Sequence, residues 1–291
     1  MDSAPDSMPS DIADGLRSIG AVIDPAATAA LYAPLHRRQA PKAVDRDRVY
    51  GTHERHRLDI FRPEIVGHSL CPIVVFVHGG GFTRGAKSQP GSPFYDNVMQ
   101  WLASAGFVGV NMNYRLAPEH QWPSGIEDLT LVLDWVRNHA EQVGGNSEHV
   151  VLWGHSAGAA HVGDYVAARF QSGQSAGVAG AVLTSGFFDL GDEVSPWQAY
   201  YGVDVSLYPE RSSLAGLSQS SVPLLINDAE LDPAVFQDQA RLLVQARAGS
   251  AAPTRYVRLA GHSHISETYA IGTDDDMLSA EVAAFVRSVQ P

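Results

Sequence analysis

The chain has 291 residues, 45% of them hydrophobic and 18% charged, a balance that suits one large α/β core or two small ones. A formal net charge of −12 disfavours partners with phosphate backbones and anionic lipid surfaces, so no nucleic acid is expected. The single cysteine, Cys71, excludes an intrachain disulfide and, beside an apolar run, reads as a small buried hydrophobe.

Residues 1–48 form an N-terminal segment, polar and acidic at its start, with an alanine-rich helical stretch over 25–32. That start has neither the cationic nor the apolar part of a signal peptide, and the longest apolar run, Ile73 to Val77, is too short to cross a bilayer. No membrane span and a cytoplasmic location are expected. From there, short β-branched runs alternate with helical patterns. Strands are predicted over 58–61, 73–77, 108–112, 150–153, 181–184, 224–227 and 256–259. Helices are predicted over 95–104, 124–139, 157–170, 233–246 and 275–289. Continuous apolar strands separated by helices predict a doubly wound, mostly parallel α/β sheet with helices on both faces. One irregular stretch of about thirty residues, 189–221, interrupts the alternation and reads as an insertion able to cover a site.

The pattern Gly-x-Ser-x-Gly is weak in a chain with 27 glycines, and it occurs twice. Ser175 lies between a helix and a strand in a flexible stretch, Gly173-Gln174-Ser175-Ala176-Gly177. Ser156, in Gly154-His155-Ser156-Ala157-Gly158, follows the run Val150-Val151-Leu152-Trp153 directly and opens a helix. Such a reversal demands strained backbone at the serine and glycines beside it, and lifts the hydroxyl to a helix N-terminus. Upstream, His78-Gly79-Gly80-Gly81-Phe82 closes a strand and leaves backbone N–H groups uncovered, as an oxyanion-binding loop requires.

These two motifs, with Asn113-Tyr114-Arg115-Leu116-Ala117-Pro118-Glu119-His120 between them, resemble the hormone-sensitive-lipase-like carboxylesterases of the α/β-hydrolase fold. The likeness runs from about Tyr50 to the C-terminus, so residues 49–291 would be the catalytic domain and residues 1–48 at most a partial lid. The resemblance implies a carboxylic ester hydrolase acting on a small-molecule ester, with oxyanion donors at Gly80, Gly81 and Ala157. It requires no cofactor and no metal. Arg115 and Glu119 would hold a structural turn.

In this fold the nucleophile, acid and histidine follow one another in the chain. Of twelve histidines only His161, His262 and His264 come after Ser156. His161 falls within the helix after the serine, facing away. His264 is favoured over His262 because His264-Ile265-Ser266-Glu267 resembles the endings of esterases and arylformamidases of the fold. A metal at His262 and His264 would lack a third ligand. For the acid, Glu230-Leu231-Asp232-Pro233 matches the family's acid-bearing turn, favouring Asp232 over Glu230, with Asp189 the outside candidate. Amide cleavage, as in arylformamidases, and a non-catalytic ligand-binding role are the alternatives. Trp197, Tyr200, Tyr201 and Tyr208 could line a pocket or pack a core. Oligomeric state is not readable, a homodimer being one option.

Overall fold

The computed structural model describes residues 8–36, 43–64, 70–194 and 196–289. The opening residues 1–7, residues 37–42 of the N-terminal segment and Ser195 of the expected insertion lie outside them. In chain order the elements are α1 (Ser10–Ile19), α2 (Pro25–Tyr32), β1 (Val44–Val49), β2 (Arg57–Phe61), β3 (Cys71–Val77), α3 (Asp96–Ser104), β4 (Val108–Met112), α4 (Ser124–His139), β5 (Gly145–His155) and α5 (Ala157–Gln171). There follow β6 (Gly180–Thr184), α6 (Gln198–Tyr201), α7 (Tyr208–Arg211), α8 (Leu214–Gln219), β7 (Leu224–Leu231), α9 (Ala234–Ala246), β8 (Thr254–Ser263), α10 (Ser266–Tyr269) and α11 (Ser279–Ser288).

The strands form one sheet in the order β1-β2-β4-β3-β5-β6-β7-β8. β1 and β2 run antiparallel to their neighbours, and β4, β3, β5, β6, β7 and β8 are mutually parallel. Successive side chains of the central strands enter opposite cores, as a sheet covered on both faces requires. Ile73, Val75, Val77, Val150, Leu152, Leu224 and Ile226 pack beneath α4, α5 and α9. Val74, Phe76, Val151, Trp153 and Leu225 pack beneath α3 and α11.

Three local differences have physical causes. β1, Val-Asp-Arg-Asp-Arg-Val, is a strand that the apolar-run criterion passes over, because its charges face solvent at the sheet edge. Arg46 reaches Asp59 at 2.7 Å and Asp96 at 2.5 Å, and an edge so charged resists pairing with another chain. Cys71 opens β3 and is partly exposed rather than buried. The N-terminal segment also holds a helix besides the expected one: α1 buries Ile12 and Leu16 beside Tyr32, Phe94 and Ala270.

The stretch 189–221 packs into a small separate core shared with the glycine loop and α5. Tyr200, Tyr201 and Tyr208 are buried with Phe82, Ala157, Ala160, Phe187 and Leu190. Phe82 stacks flat on Tyr200 with centroids 4.6 Å apart, and Tyr201 donates to Asp164 of α5 at 3.0 Å. The three tyrosines are thus packing residues, and of the four aromatics only Trp197 stays partly exposed. No helix among the described residues is long and apolar enough to cross a membrane.

Candidate active site

The sharp reversal expected at Ser156 is present. β5 ends at His155, Ser156 has φ 56° and ψ −121°, and α5 begins at Ala157. This backbone is costly for a residue with a side chain and persists only where the surroundings hold it. The flanking glycines allow the approach. A Cβ on Gly154 would stand 2.3 Å from the Gly158 carbonyl oxygen, and one on Gly158 would stand 2.0 Å from that of Val77.

Ser156, His264 and Asp232 meet from three different places in the chain. His264 Nε2 lies 2.8 Å from Ser156 Oγ, and His264 Nδ1 lies 2.6 Å from Asp232 Oδ1. Asp232 sits just past β7 and His264 just past β8, adjacent parallel strands that deliver both residues to the same end of the sheet. Asp232 Oδ2 accepts from Ser185 Oγ at 2.5 Å and from the Ala229 N–H at 3.0 Å. Burial would raise this carboxyl, but the bonds and charge from His264, with the Ala229 and Ser185 donors, hold it below the ordinary carboxylate value. His264 and Asp232 are buried, and Ser156 is 7% exposed.

The glycine loop lies against the serine. A Cβ on Gly79 would come 3.2 Å from Ser156 Cβ, and Gly80 and Gly81 both have positive φ, 134° and 59°. Among the described residues neither the Gly80 nor the Gly81 N–H donates to a backbone carbonyl, while Ala157 stands in the first turn of α5, where N–H groups have no helical partner. The loop is braced from below. His78 Nδ1 is 2.6 Å from the Gly79 carbonyl oxygen, and its ring stacks on Tyr114 at 4.3 Å. Burial pushes His78 down to about 3, so its ring is neutral. Three aromatic rings adjoin His264: Phe236 covers its ring at 4.2 Å, Trp197 lies 6.0 Å from Phe236, and Phe187 lies 5.9 Å from Trp197.

The competing residues stand elsewhere. Ser175 is exposed in the αβ loop, where it accepts from the Gly177 N–H. His161 is buried among Phe82, Tyr114 and Tyr200. His262 turns to the opposite side of its loop: Nδ1 is 3.0 Å from Ser266 Oγ, and Nε2 is 4.0 Å from Asp275, which accepts from Tyr32 of α2 at 2.5 Å. Glu230 accepts from the Gly261 N–H at 2.7 Å, and Asp189 accepts from the Gly191 N–H, closing its own loop. Arg115 binds Asp128 and Glu127 of α4 rather than Glu119.

Two neighbours of the site escaped the sequence reading. His155 Nε2 donates to the His264 carbonyl oxygen at 2.7 Å, and burial followed by the nearby His264 pushes His155 down to about 3. Ser185, at the end of β6, touches Asp232 and also Glu267. The variable position inside Gly-x-Ser-x-Gly was the available signal for His155. Ser185 left none, since its role exists only once three strand ends are side by side.

Comparison with known proteins agrees with this architecture. The BD-FAE family matches residues 58–174. Esterase LipC of Mycobacterium tuberculosis (strain ATCC 25618 / H37Rv) is 28% identical over 254 residues, 79% of this chain and 60% of that protein. Carboxylesterase NlhH of the same strain is 38% identical over 100 residues, 34% of this chain and 30% of that protein. The chain thus spans about 60% of the length of LipC, and 56% of the probable carboxylic ester hydrolase LipM. The hyperthermophilic esterase of the archaeon Pyrobaculum calidifontis superposes with a TM-score of 0.71 at 25% identity, covering 86% of each chain. A fungal esterase of Rhizomucor miehei shares the fold, with a TM-score of 0.73 at 23% identity over 99% of this chain and 98% of that one. The doubly wound sheet, the elbow at its centre and these relatives show an α/β-hydrolase fold in a chain similar to known esterases.

Proposed function

We propose that the chain is a serine carboxylesterase that hydrolyses carboxylic esters of small to medium size. The observation that carries this reading is the buried hydrogen-bonded chain from Ser156 Oγ through His264 to Asp232, at 2.8 and 2.6 Å. A serine hydroxyl is a weak nucleophile at neutral pH until a neighbouring base takes its proton. Ser156 attacks the acyl carbon as His264 Nε2 accepts the hydroxyl proton, and Asp232 holds the imidazole tautomer and stabilises its positive charge. The N–H groups of Gly80, Gly81 and Ala157 receive the oxyanion, at the positive end of α5. His264 returns its proton to the departing alcohol, and water then releases the acyl group from Ser156 by the same route. No step calls for a metal or an organic cofactor.

The near-complete burial of Ser156, with Phe236 over the His264 ring and Trp197 and Phe187 packed next to Phe236 in turn, supports acyl or alcohol groups of limited size. The test is turnover of p-nitrophenyl acetate and butyrate by the protein and by its Ser156→Ala variant. The variant should be folded and inactive, and turnover retained by it would falsify the assignment. A series of p-nitrophenyl esters of increasing chain length should show activity falling beyond short chains.

A further inference from the structure

Behind Asp232 stands a second carboxyl. Glu267, in α10 three residues after His264, is 1% exposed. Its Oε1 lies 2.6 Å from Ser185 Oγ, and Ser185 Oγ lies 2.5 Å from Asp232 Oδ2. A serine hydroxyl carries one proton and can donate to one of these oxygens only. Two oxygens about 2.6 Å apart with no proton between them repel, so one of the two carboxyls must supply the second proton. Asp232 is the wrong place for it. Its Oδ1 faces His264 Nδ1, and its Oδ2 already accepts from Ser185 and from the Ala229 N–H. The remaining oxygen of Glu267 faces the Asn227 amide at a long 3.4 Å, and the Glu267 carboxyl also stands within side-chain hydrogen-bonding reach of Asp232. No arginine or lysine among the described residues pairs with Glu267, and the charged groups turned toward it are the carboxylates of Asp232 and Asp228. Burial and those two carboxyls push Glu267 well above the ordinary value. Ser185 itself stands at φ 46°, a conformation rare for serine that sets its hydroxyl between the two acids.

Resting on the triad reading above, we propose that Glu267 is a positioning residue: a neutral carboxylic acid that donates to Ser185 Oγ and so commits the Ser185 proton to Asp232. The bonds then run in one direction, from Glu267 O–H to Ser185 Oγ and from Ser185 O–H to Asp232 Oδ2. A directed chain of this kind strengthens each member and keeps the net charge behind His264 at one. Were Glu267 ionised, a second buried negative charge would repel Asp232 and hold the imidazole protonated at higher pH.

The test compares Glu267→Gln, Glu267→Leu and Ser185→Ala with the unaltered enzyme on p-nitrophenyl butyrate. Glutamine keeps an N–H donor without charge, so Glu267→Gln should retain kcat within about threefold and leave the acid limb of kcat/KM in place. Glu267→Leu and Ser185→Ala should each lose about tenfold in kcat at little change in KM. The double variant should be no worse than either single, since both break one chain. An infrared difference spectrum between the unaltered protein and Glu267→Gln at neutral pH should show the carbonyl stretch of a protonated carboxylic acid. An acid limb lowered by about one unit in Glu267→Gln would overturn the proposal, because it would mean a negative charge had been removed. Absence of the protonated band, additive losses in the double variant, or full kcat in Glu267→Leu would do the same. If Glu267→Leu fails to fold, Glu267→Gln and the infrared band decide alone. Turnover surviving Ser156→Ala overturns the triad reading and this proposal together, whereas an inactive Ser156→Ala beside any adverse result at Glu267 overturns this proposal only.

Discussion

The imidazole of His155 donates to the main-chain oxygen of His264 at 2.7 Å, so the residue before the elbow serine holds the loop of the residue facing that serine. The bond is buried and the His155 ring neutral, so it does not loosen with ordinary changes of pH. Replacing His155 with leucine leaves the carbonyl of His264 without its donor. A tenfold loss of kcat corresponds to about 1.4 kcal/mol, the worth of one such bond, and a loss of that order is expected with KM little changed. Steady-state kinetics on p-nitrophenyl butyrate check it, and an unchanged kcat would show that the loop is held by other means.

His264 and His262 separate cleanly by experiment. His264→Ala should reduce kcat by about 10⁴-fold or more, with the melting temperature little affected. His262→Ala should do the reverse. Its ring bonds Ser266 and approaches Asp275 inside the fold, so its loss should cost about 1–3 kcal/mol of stability and leave kcat within a few-fold. Thermal melts beside kinetics for the two variants decide the matter.

Gly80→Ala tests the glycine loop. With φ at 134°, a Cβ there would stand 2.0 Å from the Arg84 carbonyl oxygen, and that contact is backbone that cannot rotate away. The loop must shift, and loss of the oxyanion donor proposed at Gly80 is expected to cost about 10²- to 10³-fold in kcat. Labelling by a fluorophosphonate should slow in parallel, since it forms a similar oxyanion.

Asp164 gives a pH signature of stability. Burial pushes its carboxyl up to about 8, with the bond from Tyr201 acting against the rise. The folded value lies above the unfolded one, so the native state holds a proton that the unfolded state has released. The stability contributed by that proton is full below the unfolded value and is lost as pH rises through about 8. Asp164→Asn keeps an acceptor for Tyr201 and removes the titration. The advantage of the variant in urea denaturation should therefore grow from pH 5 to pH 8, by at most about 1.4 kcal/mol per unit, and then level off. A constant difference across that range would show that Asp164 is ionised in the fold.

What the sequence disclosed follows from where information is local. The central strands are legible because burial on both faces leaves them uniformly apolar, as in Ile73 to Val77 and Leu224 to Ile226. β1 is illegible by the same criterion, since an edge strand is recognised by the partner it pairs with and not by its own residues. Ser156 announces itself through a strand, a turn and a helix that are contiguous. His262 and His264 do not separate this way, because β8 ends at Ser263 and the turn there sends the two rings to opposite sides. Ser185 carries no motif of its own, and Glu267, although it closes the His264-Ile265-Ser266-Glu267 ending, lies 82 positions along the chain from it, so their meeting is not written locally.

Residues 78 through 267 contribute to one site, and they arrive on the ends of β3, β5, β6, β7 and β8. In the proposed mechanism no subset of two or three strands contains the nucleophile, its partners and the oxyanion loop. Partly assembled forms of this sheet are consequently silent in a turnover assay, whatever helix or strand content they already possess. Recovery of ester cleavage during refolding would then mark the final closing of the longest-range contacts, lagging behind circular dichroism as pairings between distant segments complete.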